Sequence, residues 1–361
     1  MGGIKLIALI SSHPLLLVRP LDNSQAREYK PVVSLFNGER TMSPDHKPEL
    51  TTPPFPVIPQ EAFDWYDEYA HGIIDRREFM ARLAGLVALG FTMTTLTGAL
   101  MPNYALAEQV SFNDPSIQAS YVKFPSPDGY GEGRGYLVLP NALLIPGQKA
   151  GDPKTLDLSK KAPVVLVVHE NRGLNPYIED VARRLAAKGY IAFAPDALYS
   201  LGGYPGNDDA GRAMQASLDR AKIEQDFIAA ARFLRSHPQS NGKLGAVGFC
   251  FGGYIVNMLA ATIPDELAAG VPFYGTPAAT ELRSRVKGPL MLQFAALDQR
   301  INDTWAEYEA QLKANKADYV AYLYPNVNHG FHNDSTARYD EPTAELAWTR
   351  TLDFFGKHLL V

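Results

Sequence analysis

The stretch Lys243-Leu244-Gly245-Ala246-Val247-Gly248-Phe249-Cys250-Phe251-Gly252-Gly253-Tyr254 decides the reading of this chain. It is an apolar strand, a glycine-bracketed turn and the opening of a helix. At its apex sits the only cysteine in 361 residues. Gly248 and Gly252 flank Cys250 at its second neighbours, where a side chain would collide as strand and helix close in. Such a turn thrusts Cys250 out at the carboxyl edge of a sheet and the amino end of a helix, whose dipole favours a thiolate. The competing reading is a buried cysteine acting as a small hydrophobe. The rest of the chain decides between them.

Working outward, the segments from Glu108 onward alternate strand and helix. Ile117 to Phe124 and Arg134 to Leu139 read as paired edge strands joined by Pro125-Ser126-Pro127-Asp128-Gly129. Val164-Val165-Leu166-Val167-Val168 is a β-branched run of the kind buried on both faces of a parallel sheet. A helix over Tyr177 to Lys188 and a strand over Tyr190 to Ala194 follow, with Gly189 as helix C-cap. Residues Pro195 to about Gly211 read as a long loop. The next helix carries Ile223, Phe227, Ala230 and Leu234 at helical spacing. Past the elbow helix come strands Ala268 to Tyr274 and Pro289 to Ala295, a helix from about Asn302 to Ala317, strand Tyr319 to Tyr324 and a helix from about Pro342 to Leu359. This alternation specifies an α/β fold: a mostly parallel sheet with helices on both faces, forming a single catalytic domain over 108–361.

Composition narrows the function. A hydrophobic fraction of 46% with 20% charged residues is that of a globular protein with a sizeable core. A net charge of −5 gives no nucleic-acid footprint. One cysteine leaves no intramolecular disulfide framework and no thiolate-rich zinc site. No cofactor or resident metal is expected.

The leader differs from the rest. Residues 1–60 are polar and proline-rich after a short apolar run, and read as disordered. Residues 61–107 read as a helical segment and signal. Gln60 to Gly72 suits a short amphipathic helix. Arg76-Arg77, Phe79, a weakly apolar run from Leu83 to Leu100 and Ala105-Leu106-Ala107 resemble a twin-arginine export signal. That reading implies the export machinery as partner and a periplasmic or secreted location. An amphipathic helix with a chance arginine pair in a cytoplasmic protein, or a membrane anchor, are the alternatives.

Three residues fill catalytic roles. Cys250, Asp298 and His329 each lie just past the end of a strand, in the chain order nucleophile, acid, histidine found in α/β-hydrolases. Side chains at the carboxyl ends of parallel strands converge without adjacency in sequence. His329 would hold Cys250 as thiolate and protonate the leaving group, with Asp298 fixing the imidazole. Read singly, Asp298 suits a helix N-cap, and His329 suits a loop histidine or, with His332, half a metal site. Oxyanion stabilisation requires two backbone N–H groups. One comes from Phe251 and the other from the loop His169-Glu170-Asn171-Arg172-Gly173. A carboxylate at Glu170 lies close enough to Cys250 to take the thiol proton or hold the sulfur.

The elbow Gly248-x-Cys250-x-Gly252-Gly253, the His169-Glu170-x-Arg172-Gly173 loop, Ala194-Pro195-Asp196-x-Leu198-Tyr199, Phe273-Tyr274-Gly275 and Asn328-His329-Gly330-Phe331 together resemble the dienelactone hydrolase family. The resemblance covers most of Glu108 to Val361. It implies an α/β-hydrolase fold, no metal, and hydrolysis of a small-molecule ester or lactone through a cysteine acyl-enzyme. By position it makes Cys250 the nucleophile, His329 the base, Asp298 its orienter, Glu170 the carboxylate that engages the thiol, and the N–H groups of Asn171 and Phe251 the oxyanion hole. The arginines that grip a substrate carboxylate in enzymes acting on dienelactone are missing from Tyr199-Ser200-Leu201-Gly202-Gly203 and from Phe331-His332-Asn333-Asp334. Without a guanidinium there is no bidentate clamp, so a neutral or differently charged ester or lactone is expected. Tyr199, Tyr204 and Tyr274 are placed as pocket-lining aromatics, with core packing an equal account. A thioesterase or acyltransferase, and a hydrolase-like thiol sensor, are the competing functions; a monomer or homodimer is expected.

Overall fold

The computed structural model describes residues 58–360 apart from 89, 105–106 and 146–155. Most of the leader expected to be disordered therefore lies outside the described residues.

Ten-residue strands β1 (Ile117–Ser126) and β2 (Gly131–Pro140) form an antiparallel hairpin. β3 (Ala162–Val168), β4 (Ile191–Pro195), β5 (Ser240–Phe249), β6 (Leu267–Phe273), β7 (Leu290–Ala295) and β8 (Tyr319–Tyr324) complete an eight-stranded sheet in the order β1-β2-β4-β3-β5-β6-β7-β8. From β4 to β8 every neighbouring pair is parallel. All seven residues of β3 are buried, as an unbroken apolar run in a central parallel strand requires. Helices α4 (Pro176–Ala187), α6 (Arg220–Arg235), α7 (Phe251–Thr262) and α10 (Glu341–Leu359) pack against the sheet as crossover and terminal helices. The result is the α/β fold expected from the alternation, in the α/β-hydrolase form that the resemblance implies.

Two local departures have local causes. The loop from Pro195 ends earlier than expected, because Asn207 accepts a hydrogen bond from Ala210 N–H at 3.0 Å and caps helix α5 (Asp208–Ala216). The helix expected over 302–317 divides into α8 (Gln299–Asn302) and α9 (Trp305–Ala314). Within the core, Gln293 of β7 is fully satisfied. Its Nε2 donates to Ala347 O at 3.0 Å and Thr351 Oγ1 at 2.9 Å, while Tyr324 OH donates to its Oε1 at 2.5 Å. This network ties β7 to β8 and α10, and fixes the loop that follows β8.

The segment 60–100 folds as three helices: α1 (Gln60–Ala70), α2 (Arg76–Val87) and α3 (Met93–Leu100). They bury a cluster of their own, including Tyr66, Tyr69, Phe79, Leu83 and Leu96. Tyr69 stacks on Phe79 at 4.9 Å between ring centroids. Asp75 caps α2 by accepting from Glu78 N–H at 2.8 Å. Arg76 and Arg77 are exposed in the first turn of α2. Among the described residues no helix is long and apolar enough to cross a membrane.

Candidate active site

The elbow places Cys250 between the end of β5 and the first turn of α7, with φ 57° and ψ −112°. A left-handed φ is costly for any residue but glycine, and its survival here marks a position held by its surroundings. Those surroundings are backbone. A Cβ on Gly252 would stand 2.2 Å from the carbonyl oxygen of Val168, and one on Gly248 would stand 2.2 Å from that of Gly252. Only glycine lets β3, β5 and α7 approach this closely.

Asp298 and His329 come from the loops after β7 and β8. His329 Nδ1 lies 2.6 Å from Asp298 Oδ2, and both side chains are buried. The other carboxylate oxygen, Oδ1, accepts from Ile301 N–H at 3.3 Å, so Asp298 serves as helix cap and histidine partner at once. With Nδ1 engaged, Nε2 of His329 is the nitrogen left to act, and it is buried with no hydrogen-bond partner among the described residues. His332 points elsewhere: its Nδ1 meets Tyr177 OH at 2.7 Å and its ring stacks on Phe249. It does not pair with His329 as half a metal site.

The sulfur has a neighbour the sequence reading missed. His71, on the turn after α1, places Nε2 3.2 Å from Cys250 Sγ and donates Nδ1–H to the carbonyl oxygen of Asp67 at 2.8 Å. The rings of His71 and His329 meet edge to face at 4.9 Å. Asp67 stands among the cations, with Oδ1 at 3.3 Å from His71 Nδ1 and 3.8 Å from Arg338 Nη1, and Oδ2 at 3.5 Å from Arg300 Nε. The Asp67/His71 spacing of one helical turn was the available signal, but nothing in the sequence placed it against an elbow almost 180 residues away.

These charges govern one another. Burial opposes a thiolate at Cys250, yet His71 and His329 outweigh it and hold the thiol well below its ordinary range. Burial likewise opposes protonation of His71, but Cys250 and Asp67 raise it to about 9. For His329 the same opposition is overcome by Asp67, Asp298 and Cys250, giving about 10. Asp67 is held far below the carboxylate range against its own burial, by His329 and His71.

The other sequence candidates each have defined partners. Glu170 is buried and accepts from Asn333 Nδ2 at 3.2 Å; the hydrogen-bond partner of the sulfur is His71 instead. Burial and the nearby Cys250 push the Glu170 carboxyl upward, with Arg172 opposing. Asn171 lies in the turn after β3 and Phe251 begins α7; the Asn171 side chain donates to Ala70 O at 2.6 Å, clasping α1. Tyr274 is fully buried, with its ring 4.7 Å from that of His329. Tyr199 and Tyr204, expected as pocket-lining aromatics, have polar partners of their own. Tyr199 donates to Glu132 at 3.1 Å and lies under the Arg134 guanidinium, on the β2 side. Tyr204 donates to Asp208 at 2.7 Å, which in turn pairs with Arg172.

A cavity of about 320 Å³ opens beside His329 and Asp298, walled by Phe63, Asp67, Arg300 and Arg338. Arg338, which the sequence reading did not place, reaches this cavity from the segment after His329, and Arg300 joins it. Donor atoms of His71, Cys250 and His329 lie within 4.8 Å of one another, as do those of Asp67, Asp298 and His329, so either trio has the spacing to hold a cation.

Comparison with known proteins identifies the family. Residues 151–359 match the family model described as "Dienelactone hydrolase family", and residues 57–88 match one described as "YqhI-like". The "Putative hydrolase fragment YghX" of Escherichia coli K12 is 57% identical over 128 residues, covering 36% of this chain and 97% of that protein. A "Putative carboxymethylenebutenolidase" of Aquifex aeolicus is 32% identical over 210 residues, 55% of this chain and 89% of that one. Among solved structures, a "Putative Dienelactone Hydrolase" from Klebsiella pneumoniae superposes with a TM-score of 0.54 at 25% identity, covering 66% of this chain and 98% of the other. The chain therefore belongs to the dienelactone hydrolase family and is an ester-hydrolysing α/β-hydrolase.

Proposed function

We propose that the protein hydrolyses a small carboxylic ester or lactone through a Cys250–His329–Asp298 triad and a cysteine acyl-enzyme. The observation that carries this reading is the 2.6 Å Asp298–His329 pair, whose free Nε2 belongs to the same cluster as a strained, thiolate-favouring Cys250. The thiolate attacks the carbonyl carbon and the C=O electrons move to oxygen, facing the N–H groups of Asn171 and Phe251. Collapse breaks the C–O bond, and the leaving alkoxide takes the Nε2 proton of His329. Neutral His329 then removes a proton from water, and the hydroxide attacks the thioester. The second collapse expels thiolate and releases the acid, leaving His329 protonated again. Glu170, buried beside the elbow, raises the cost of a second negative charge there and keeps the resting thiolate dependent on its cations.

Arg300 and Arg338 lie 3.5 and 3.8 Å from the single Asp67 carboxylate, which His71 also shares, so the cavity keeps positive charge on that wall and accommodates a neutral ester or one with a charge placed differently from that of a dienelactone. Turnover of 4-nitrophenyl acetate by the wild type, lost in Cys250→Ala with an unchanged melting curve, supports the reading; retained turnover in that variant overturns it. Export on the Arg76-Arg77 pair is a separate proposal. A chain exported folded and untrimmed keeps α1 to α3, whereas cleavage after Ala107 sheds them. Cell fractionation with N-terminal sequencing distinguishes these.

A further inference from the structure

The N-terminal helices are built into the active site rather than appended to it. Asn171, in the turn expected to supply an oxyanion N–H, grips Ala70 O at 2.6 Å. Arg172 donates to Tyr66 OH at 3.1 Å, and the Arg338 guanidinium covers the Tyr66 ring at 4.8 Å. Arg212 covers Tyr69 at 4.5 Å. Downstream, Asn103 N–H donates to Ser335 O at 2.6 Å and Tyr104 OH to Asp208 at 2.8 Å. The segment is therefore clasped on both sides of His71, and the ring it delivers is the hydrogen-bond partner of the only thiol in the chain.

We infer that His71 is a further catalytic residue, supplied to the hydrolase domain by the helical segment, which takes and keeps the thiol proton of Cys250 so that His329 is free to serve the leaving group and water. The inference rests on the acyl-enzyme reading above. The protons balance: Cys250 S–H gives its proton to His71 Nε2, and His329 loses one proton to the alkoxide and regains one from water. His71 stays protonated throughout, facing thiolate in the free enzyme and each time thiolate is expelled.

The groups around His71 are arranged for that task. Asp67 of α1 holds Nδ1–H through its carbonyl and adds a carboxylate at 3.3 Å. Cys250 faces Nε2 from the elbow and His329 packs edge-on from the loop after β8. Arg300 of α8 approaches Nε2 to 3.0 Å and works against the proton, and its own charge is shared with Asp67. Arg338 and Asp298 act more distantly through Asp67 and His329, and Glu170 through Cys250. Burial costs are offset within the cluster, and His71 is raised to about 9.

The test uses the full chain and the variants His71→Gln and His71→Ala. Each is alkylated with iodoacetamide across a pH series, read by intact mass, and assayed on 4-nitrophenyl acetate, with circular dichroism reporting fold. In wild type the thiol reacts at pH 6. In His71→Gln the alkylation rate at pH 6 falls about tenfold or more, as each unit of upward thiol shift removes tenfold of thiolate, and turnover falls with it. Added imidazole restores both in His71→Ala, where it has room, and not in His71→Gln. An unchanged alkylation profile in folded variants overturns the inference. So does a rise in turnover, which would make His71 a plug over the sulfur. If wild type turns over no ester at all, the acyl-enzyme reading fails while the alkylation arm still decides the role of His71.

Discussion

Replacing Gly252 with alanine tests whether backbone packing aims the nucleophile. The added Cβ would stand 2.2 Å from Val168 O, 2.7 Å from Val168 C and 2.9 Å from His169 O. All three are backbone atoms at the end of a fully buried central strand, so no side chain can swing aside. Relief requires α7 to back away from β3 by about 1 Å, and overpacking of this kind costs about 3 kcal/mol, the upper part of its usual range. For a domain of this size that corresponds to a melting temperature lower by roughly 6–12 °C. A displacement of about 1 Å at the nucleophile also costs about 100-fold in kcat. Gly356→Ala, inside α10 with nothing within 4 Å of the added carbon, is the matched control. It should stabilise by about 0.5–1 kcal/mol through helix propensity alone and leave turnover unchanged. Calorimetry and ester turnover on the two variants make the comparison. A Gly252→Ala protein with wild-type melting and activity would refute the packing argument.

Other perturbations separate the remaining parts. Asp298→Asn keeps the shape of the cap but removes the charge that orients His329, and kcat should fall about 10⁴-fold with little loss of melting temperature; a loss below tenfold would make Asp298 a cap only. Phe79→Ala removes the ring stacked on Tyr69 from the small helical cluster, a loss of about 3–5 kcal/mol. Limited proteolysis should then cut within 60–100 before the main domain melts, and low-pH alkylation of Cys250 should slow as His71 loosens. In pH dependence, His71 and His329 are raised above their ordinary value, so their contribution to stability is complete below about 6.5 and lost as pH rises through about 9 and about 10. Cys250 is lowered and offsets only one of the two histidines up to about its ordinary 8.5, so the melting temperature should decline gently from about 6.5 and more steeply between about 8.5 and 10. Turnover should fall over the same window; a flat profile there would contradict the ion-pair account.

Much of this was legible because parallel sheets make sequence order informative. The buried run of β3, the glycines around Cys250 and the placement of Asp298 and His329 just past β7 and β8 follow from local composition and the strand-end rule. Asp298 held two readings in the sequence, cap or orienter, and its two oxygens serve both. What escaped was tertiary. Arg338 reaches the cavity because the loop after β8 folds back towards α1, a path no periodicity encodes. The contacts of Tyr199 with Arg134 and of Tyr204 with Asp208 likewise depend on segments distant in sequence or on loop geometry that no local pattern encodes. His71 sat in a segment whose arginine pair invited a reading as an address, while Tyr66 and Tyr69, the residues that dock it, look like any amphipathic stripe.

The central claim is that Cys250 is acylated during turnover. Intact-mass measurement of the full chain, quenched in acid during steady-state hydrolysis of a slow aryl ester or a lactone, tests it directly. The account predicts a mass increase equal to one acyl group, mapped to the peptide containing Cys250, decaying as substrate is exhausted and absent in Cys250→Ala. Hydrolysis that proceeds in Cys250→Ala, or an acyl group that maps to any other residue, would contradict it.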